Sequence, residues 1–352
     1  MNRLMHLRET LPVNIMENSD YPDLEFVILD YNSQDGMESW AKEALMPHIE
    51  SGRVVYYKNY DARYFDLSHS KNMLVKLATG DIICLLDADN YAGLNYASWV
   101  DRIFSGAGRD TVITVNERDR IRYRDQGGKI CCSRENIYSV KGFDESFQGY
   151  GVDDVDLVNR LEKAGGQRVL INNEEFLKYI GHSMEERIKN NYLFNNVDAI
   201  YTYISSLEKV KAVFLLKDNT FLDVDFEFSH RGQQNLVSSF SGWRVGENGR
   251  KKGTFARADG SLTLFGEDRT TVIPNEIALE TLNMDQVDTK PSWKKIDKGH
   301  ELYHTAVISY GECMNRRSCV ENDKNSRLVN QKGWGMGTVF MNFDNTTPIK
   351  VS

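Results

Sequence analysis

Long hydrophobic runs are missing from this chain. No apolar stretch approaches the roughly 18 residues of a membrane-spanning helix, so any membrane contact is expected to be peripheral. The start, Met1 to Glu9, is polar and lacks the apolar core of a secretion signal. A basic excess is missing too. Acidic residues number 51 against 43 basic ones, for a net charge of −8. Nucleic-acid binders usually carry a basic face, and this balance argues against one. Anionic substrates stay open, because a bound metal reverses the local sign. Cysteine is sparse: Cys84, Cys131, Cys132, Cys313 and Cys319. The count is odd and no pair has the short spacing of a zinc knuckle. Free thiols in a reducing, cytoplasmic compartment are the expectation. No internal repeat is visible. The Gly333 to Gly337 loop is followed by no Gly-Lys-Ser/Thr, which excludes a P-loop there and leaves a turn.

What remains is the make-up of an ordinary globular protein, 41% hydrophobic and 27% charged. Its 352 residues suit one large domain and a smaller one. Phe26-Val27-Ile28-Leu29 reads as a buried strand ending in Asp30, and Gly36 to Ile49 as a helix with Trp40, Ala41, Ala44 and Leu45 on one face. Strands follow at Val54–Tyr57, Ile82–Leu86 and Thr111–Val115, with a helix over Ser70–Ala78. Strands alternating with helices predict an α/β layered sheet. The start, Met1 to Arg8, reads as a loop entering a helix through Leu11, where a strand would be expected first. Beyond about Ala212, Leu222, Val224, Phe226 and Phe228 alternate with acids, and Asn248-Gly249 and Asp259-Gly260 signal turns. These features predict a small antiparallel β module. Asn283 to Asn325 is polar and gives no clear assignment. Lys332 to Phe340 offers a glycine-rich loop feeding a short strand. The expected organisation is a first domain over 1–210, the β module over 211–285 and an extension over 286–352.

Chemistry concentrates in four places. Asp87-Ala88-Asp89 closes the apolar run 82–86, and ligands bind beyond the carboxyl ends of such strands. Two carboxylates there repel each other unless a cation lies between them, and oxygen ligands favour Mg²⁺ or Mn²⁺. Asp223-Val224-Asp225 has the same form but sits inside an alternating strand, where its acids are expected on the solvent face. Asp30, at another strand end, suits either a contact to a base or ribose or, with Asn32, Ser33 and Asp35, a helix-capping cluster. Lys141 to Leu157 places Gly149-Tyr150-Gly151 before Asp153, Asp154 and Asp156. Acids in a first helical turn favour the helix dipole, but a tyrosine there can stack on a sugar and an acid can act as general base. Finally, His182 follows Gly181, and a neutral imidazole there is either structural or a metal ligand.

Together these motifs resemble the glycosyltransferases of the GT-A fold. Asp87-Ala88-Asp89 is similar to their metal-binding acid pair. Gly142-Phe143-Asp144-Glu145 through Gly149-Tyr150-Gly151-Val152-Asp153-Asp154 is similar to a stretch of galactosyl- and N-acetylgalactosaminyltransferases. The resemblance spans roughly Asn2 to Asn191, and bacterial family-2-like enzymes are the relatives it implies. It implies a Rossmann-like mixed sheet flanked by helices, with the β-rich module as an accessory. It implies that Asp89, Asp87 and His182 hold Mn²⁺ or Mg²⁺, and that Asp30, Asn32, Lys71 and Asp87 contact the nucleotide. Asp154 becomes the catalytic base and Asp153 the acceptor-binding acid. Tyr150 becomes the sugar platform, with Phe147 and Gly151 beside it. The implied reaction moves a sugar, with inversion, from a nucleotide sugar (a UDP-sugar) to a glycan or lipid-linked acceptor. The implied setting is cytoplasmic, soluble or peripheral to the inner face of the membrane. The family's opening strand is absent before Met1. Two other classes remain open: a non-catalytic glycan-binding or scaffold protein, and a sugar-phosphate nucleotidyltransferase, whose basic glycine-rich opening loop is missing here.

Overall fold

A computed structural model of the chain describes residues 1–115, 126–206, 209–228, 243–258, 260–267, 269–274, 293–299, 301–325 and 328–352. Two compact units emerge. The first comprises Met1–Gln148, Val152–Ser183 and Ser318–Ser352, and the second Gly149–Gly151 and Met184–Arg317. The two units run across the expected bounds of 210 and 285, and residues 318–352, expected as an extension packing on the others, belong with the first unit.

In the first unit, strands β1 (Phe26–Tyr31) and β2 (Val54–Asn59) pair in parallel, in register from Phe26–Val54 to Tyr31–Asn59. β14 (Gly337–Met341) adds antiparallel to β2, and β15 (Ile349–Val351) to β14. Helices α1 (Leu4–Glu17) and α2 (Met37–Ala44) cover one face of this sheet, where Leu11, Ile15, Met37 and Ala41 pack on Ile28, Val54 and Tyr56. Helix α4 (Leu67–Leu77) supplies Met73 and Leu77 to the other face, against Tyr31, Tyr57 and Val339. Burying each such side chain is worth about 1.5–3 kcal/mol. A second mixed sheet has the order β3 (Ile82–Cys84), β5 (Cys131–Ser133), β4 (Thr111–Thr114), β6 (Gln167–Leu170). Helices α5 (Tyr96–Ala107) and α7 (Asp153–Lys163) pack against its strands. Among the described residues, β1 and β3 each pair along one edge only. The Glu25 carboxylate joins the starts of those two strands by accepting from Thr79 Oγ1 at 2.8 Å and Gly80 N at 3.2 Å.

Among the described residues the second unit is a seven-stranded antiparallel sheet in the order β12 (Thr270–Pro274), β11 (Ser261–Gly266), β10 (Trp243–Ala258), β9 (Thr220–Phe228), β8 (Lys209–Leu216), β7 (Val197–Ser206), β13 (Trp293–Ile296). It begins before the expected residue 211. Residues 275–292, part of the expected module, lie outside the described ones. Its core strands are apolar on both faces. Ile200, Phe214 and Val224 meet Tyr303, Val307 and Tyr310 of helix α10 (Glu301–Asn325). Tyr201, Val213 and Phe221 meet Leu262, Leu264 and Ile273 from strands two to five places away, so the sheet curls. Two expectations need correction here. Asn248-Gly249 is no hairpin turn but lies in β10 (Trp243–Ala258), at a break in register between Val245 and Arg250. Asp223 is buried, not solvent-facing, because Lys211 on the neighbouring strand pairs with it at 2.9 Å and with Asp225 at 3.3 Å. The unassigned polar stretch contains α10. Tyr303, Cys313, Asn315, Cys319 and Asn322 are all buried, so this helix shows no single apolar stripe. Gly260 adopts φ +75° at the other expected turn, whose Asp259 lies outside the described residues.

Candidate active site

The site is built at the end of β3. Helix α1 carries Thr10 and Asn14, and Asn18 follows its last turn, so that polar side chains four residues apart lie beside the inward Leu11 and Ile15. All three polar residues are buried and each grips the chain after β3. Thr10 Oγ1 donates to Ala88 O at 2.7 Å, and Asn14 Nδ2 to Asn90 O at 3.1 Å. Asn14 Oδ1 accepts from Ala92 N at 2.7 Å, and Asn18 Oδ1 from Ala97 N at 2.8 Å. Buried backbone groups need such partners, so the polar stripe fixes where Asp87 and Asp89 point. On the far side, Ile180 N donates to Asp89 O at 2.8 Å, and Asn90 bridges to Tyr179. This short pairing delivers His182 to the acid pair.

His182 Nε2 lies 2.8 Å from Asp89 Oδ2, and Asn90 Nδ2 donates to Asp89 Oδ1 at 2.8 Å. Burial works to raise the Asp89 carboxyl, but the hydrogen bond and charge of His182, with Arg3, hold it below its ordinary value. Asp87 is directed elsewhere. Its Oδ1 lies 3.6 Å from Lys71 Nζ, and the same ammonium reaches Asp154 Oδ1 at 3.0 Å and Asp153 Oδ2 at 3.8 Å. Lys71 is buried within α4, over the Phe143 ring at 5.1 Å. Burial opposes its charge, yet Asp154, Asp87 and Asp153 hold its pKa far above the ordinary value. Asp153 and Asp154 open α7 behind Val152, whose φ of +73° turns the chain into the helix. Asp153 is pushed up to about 8 by burial and by the Asp154 charge, with Lys71 only partly offsetting them. Its Oδ2 has no hydrogen-bond partner among the described residues.

The expected ligands thus come together in two groups. Asp89 and His182 face each other, a carboxylate and an imidazole whose chemistry suits a divalent cation. Asp87 pairs with Lys71 instead. Among the described residues, no three acidic, histidine or cysteine side chains converge as metal ligands. Asp30 is not open at its strand end. Its side chain is fully buried, with Oδ2 accepting from Tyr56 OH at 2.7 Å and Lys58 Nζ at 2.9 Å, and Oδ1 from Ser33 N at 2.8 Å. Burial would raise this carboxyl, but those partners bring it below the ordinary range. Asn32 beside it takes φ +52° and donates to Ala62 O at 2.8 Å. Phe147 is buried and offers no open face. Tyr150 and Gly151 belong to the second unit. There, Arg187 lies over the Tyr150 ring at 5.4 Å and donates to its hydroxyl, and Gly151 O accepts from Asn315 Nδ2 at 2.9 Å.

Gly128 escaped the sequence reading. A Cβ there would stand 2.5 Å from Asp87 Oδ2 and 3.1 Å from Lys71 Nζ, so only glycine lets this backbone close over the cluster. The Gly127-Gly128 doublet was the available signal. Asn72, next to Lys71, accepts from Phe143 N at 2.7 Å and donates to Phe143 O at 2.9 Å and Glu145 Oε1 at 2.8 Å. It binds α4 to the Gly142 motif, where a Cβ would strike Asn72 Oδ1 at 2.2 Å. Asp144 and Asp156, acids of the same motif, are structural. Asn322 Nδ2 donates to both, at 2.8 and 3.0 Å, and Arg160 pairs with Asp156 at 2.7 Å. Lys58 could have been found by its register opposite Asp30.

Residues 6–96 match the model of glycosyl transferase family 2, and residues 113–184 match the model described as the N-terminal domain of galactosyltransferase. These two matches, with helices layered on mixed sheets, define a glycosyltransferase domain of the GT-A class. Among solved structures the chain is similar to the mannosyltransferase PcManGT from Pyrobaculum calidifontis in complex with GDP-Man and Mn²⁺. The identity is 22%, over 48% of this chain and 51% of that one, with a TM-score of 0.39. The chain therefore spans about half the length of that mannosyltransferase. It is also similar to GalNAc-T7 with UDP, GalNAc and Mn²⁺, at 13% identity over 83% and 79% of the two chains, with a TM-score of 0.38. A search of the curated proteins gave no match. No helix among the described residues is long and apolar enough to cross a membrane.

Proposed function

We propose that this chain transfers a sugar from a nucleotide sugar, a UDP-sugar, to a hydroxyl of a glycan or lipid-linked acceptor, with inversion at the anomeric carbon. The observation that carries this reading is the cluster at the end of β3, where Asp154, Lys71 and Asp87 gather beside the Asp89–His182 pair. The galactosyltransferase-type match over 113–184 supports the donor class. Asp89 and His182 would hold Mn²⁺ or Mg²⁺, leaving positions for the donor's phosphates. When bound, the ion neutralises charge on the departing nucleoside diphosphate.

The chain's own residues do the rest. Asp154 is the base that takes the proton from the acceptor hydroxyl. Lys71, 3.0 Å away, pairs with that carboxylate and fixes its direction. Asp153, which holds its proton to about pH 8, donates a hydrogen bond to the acceptor. A single in-line displacement turns an α-linked donor into a β-linked product. Lys71 serves the acids first and meets the diphosphate only as the donor enters beside Asp87.

The test is release of UDP from a panel of UDP-sugars with Mn²⁺, with and without EDTA. Turnover that EDTA abolishes is expected. Asp154→Asn should lower it by about 10²- to 10⁴-fold with an unchanged melting temperature. Full activity in that variant overturns the base assignment. The absence of both turnover and Mn²⁺-dependent UDP binding overturns the enzymatic reading and favours a glycan-binding protein.

A further inference from the structure

The side-chain pair left unused by this chemistry is Cys84 and Cys131. Both thiols are free. They stand directly opposite each other on the antiparallel strands β3 and β5. The ladder fixes which kind of opposition this is. Leu85 N donates to Ile130 O at 2.8 Å and Arg134 N to Asp81 O at 2.8 Å, so residues 85 with 130 and 81 with 134 are hydrogen-bonded pairs. The pairs alternate along the ladder, and Cys84 with Cys131 therefore falls on a non-hydrogen-bonded position. There the Cα atoms approach to about 4.5 Å and the side chains lie closest. A disulfide needs Cα atoms roughly 4.4–6.8 Å apart, so the bond can close with little backbone movement.

The two sulfurs are also unlike. Cys84 is exposed and Cys131 is buried. Burial acts to raise the Cys131 thiol, but its contacts with Cys84 and with Tyr96 OH at 3.2 Å, together with the Lys129 charge, bring it below its ordinary value. Lys129 is itself buried, donating to Tyr91 O at 2.7 Å and to Phe176 O. Cys132, the neighbour, points to the opposite face, into the cluster of Ile83, Val112 and Leu157.

We propose that Cys84 and Cys131 form a reversible disulfide under hydroperoxide, a redox staple across β3 and β5 just before Asp87. The peroxide oxidises one of the two thiols to a sulfenic acid and releases one water. The partner thiol attacks that sulfur, the S–S bond forms, and hydroxide leaves as a second water with the proton the partner shed. Two thiols lose two electrons and the peroxide gains them. Dithiothreitol reverses the step.

Thiols counted under denaturing conditions test this on the full chain. Peroxide should lower the count from five to three, with a loss of two hydrogens in mass and one peptide linking Cys84 to Cys131. Cys84→Ser should keep its four thiols unlinked, and Cys132→Ser should still lose two. Melting curves of the reduced variants confirm that each is folded. Because Cys132→Ser retains both partners, it carries the test if Cys84→Ser does not fold. Five thiols surviving peroxide, a link through Cys132, or loss of thiols to sulfinic acid without a link would each overturn the proposal.

Discussion

At the residue scale, the acids that look alike in sequence do different work. Asp144 and Asp156 are tied to Asn322, Asp30 to Lys58 and Tyr56, and among the described residues Asp87, Asp153 and Asp154 share Lys71. Asp153 sets a pH dependence. Its carboxyl titrates at 3.8 in an unfolded chain and at about 8 here. The folded state binds the extra proton between those values, so stability falls as pH rises from 3.8 to about 8 and then levels. Asp154 and Asp87 face it as negative charges and Lys71 as the positive one. Asp153→Asn, which mimics the neutral acid, should flatten that decline, read as a smaller difference in melting temperature between pH 5 and pH 8. Asn72→Ala leaves Phe143 N without a partner inside the protein, while Phe143 O keeps Asn330 Nδ2. A loss of about 1–3 kcal/mol per unsatisfied group should appear in urea unfolding of the first unit. Gly128→Ala should distort Asp87 and Lys71 and cut donor turnover at least tenfold while circular dichroism stays unchanged.

The elements show where sequence reading succeeds and where it stops. Strands β1, β2 and β4 and helix α7 announced themselves because they bury one continuous run or one stripe. Asp87 and Asp89 were legible for the same reason, as acids closing such a run. Helix α1 was seen only as far as Leu11, because Thr10, Asn14 and Asn18 place polar groups in its buried face and Pro12 lies inside it. Those side chains serve the backbone after Asp89, a demand that local pattern does not reveal. Helix α10 was missed because it is buried around its circumference. Asn14→Ala tests the element's role. It removes two buried hydrogen bonds to Asn90 and Ala92, and weaker Mn²⁺-dependent UDP binding is expected, read by calorimetry.

For the whole molecule, the division into units was the least legible feature. Composition shifts mark where the β module is, but not that Ser318–Ser352 returns to the first unit. That return depends on Trp334, Asn330 and β14. Asn330 Nδ2 donates to Lys141 O at 2.8 Å and Phe143 O at 2.6 Å, and a Cβ on Gly335 would meet the Asn72 backbone at 2.7 Å. A chain ending at Arg317 keeps both family-matched segments, 6–96 and 113–184, yet loses these contacts. It should show no cooperative melting of the first unit and no donor turnover. Retention of either would mean that the closing segment is dispensable.

The same return has a consequence for the order of events at the ribosome. Tyr56 N donates to Asn342 Oδ1 across 286 residues of chain. At about 5–20 residues per second, roughly 15 to 60 s separate the emergence of the two. During that interval β2 has its parallel neighbour β1 but an open edge on the other side. An unpaired edge of this kind recruits foreign strands. A nascent chain of this protein thus passes through a vulnerable stage that ends when β14 and Asn342 reach β2, and slower translation lengthens the exposure.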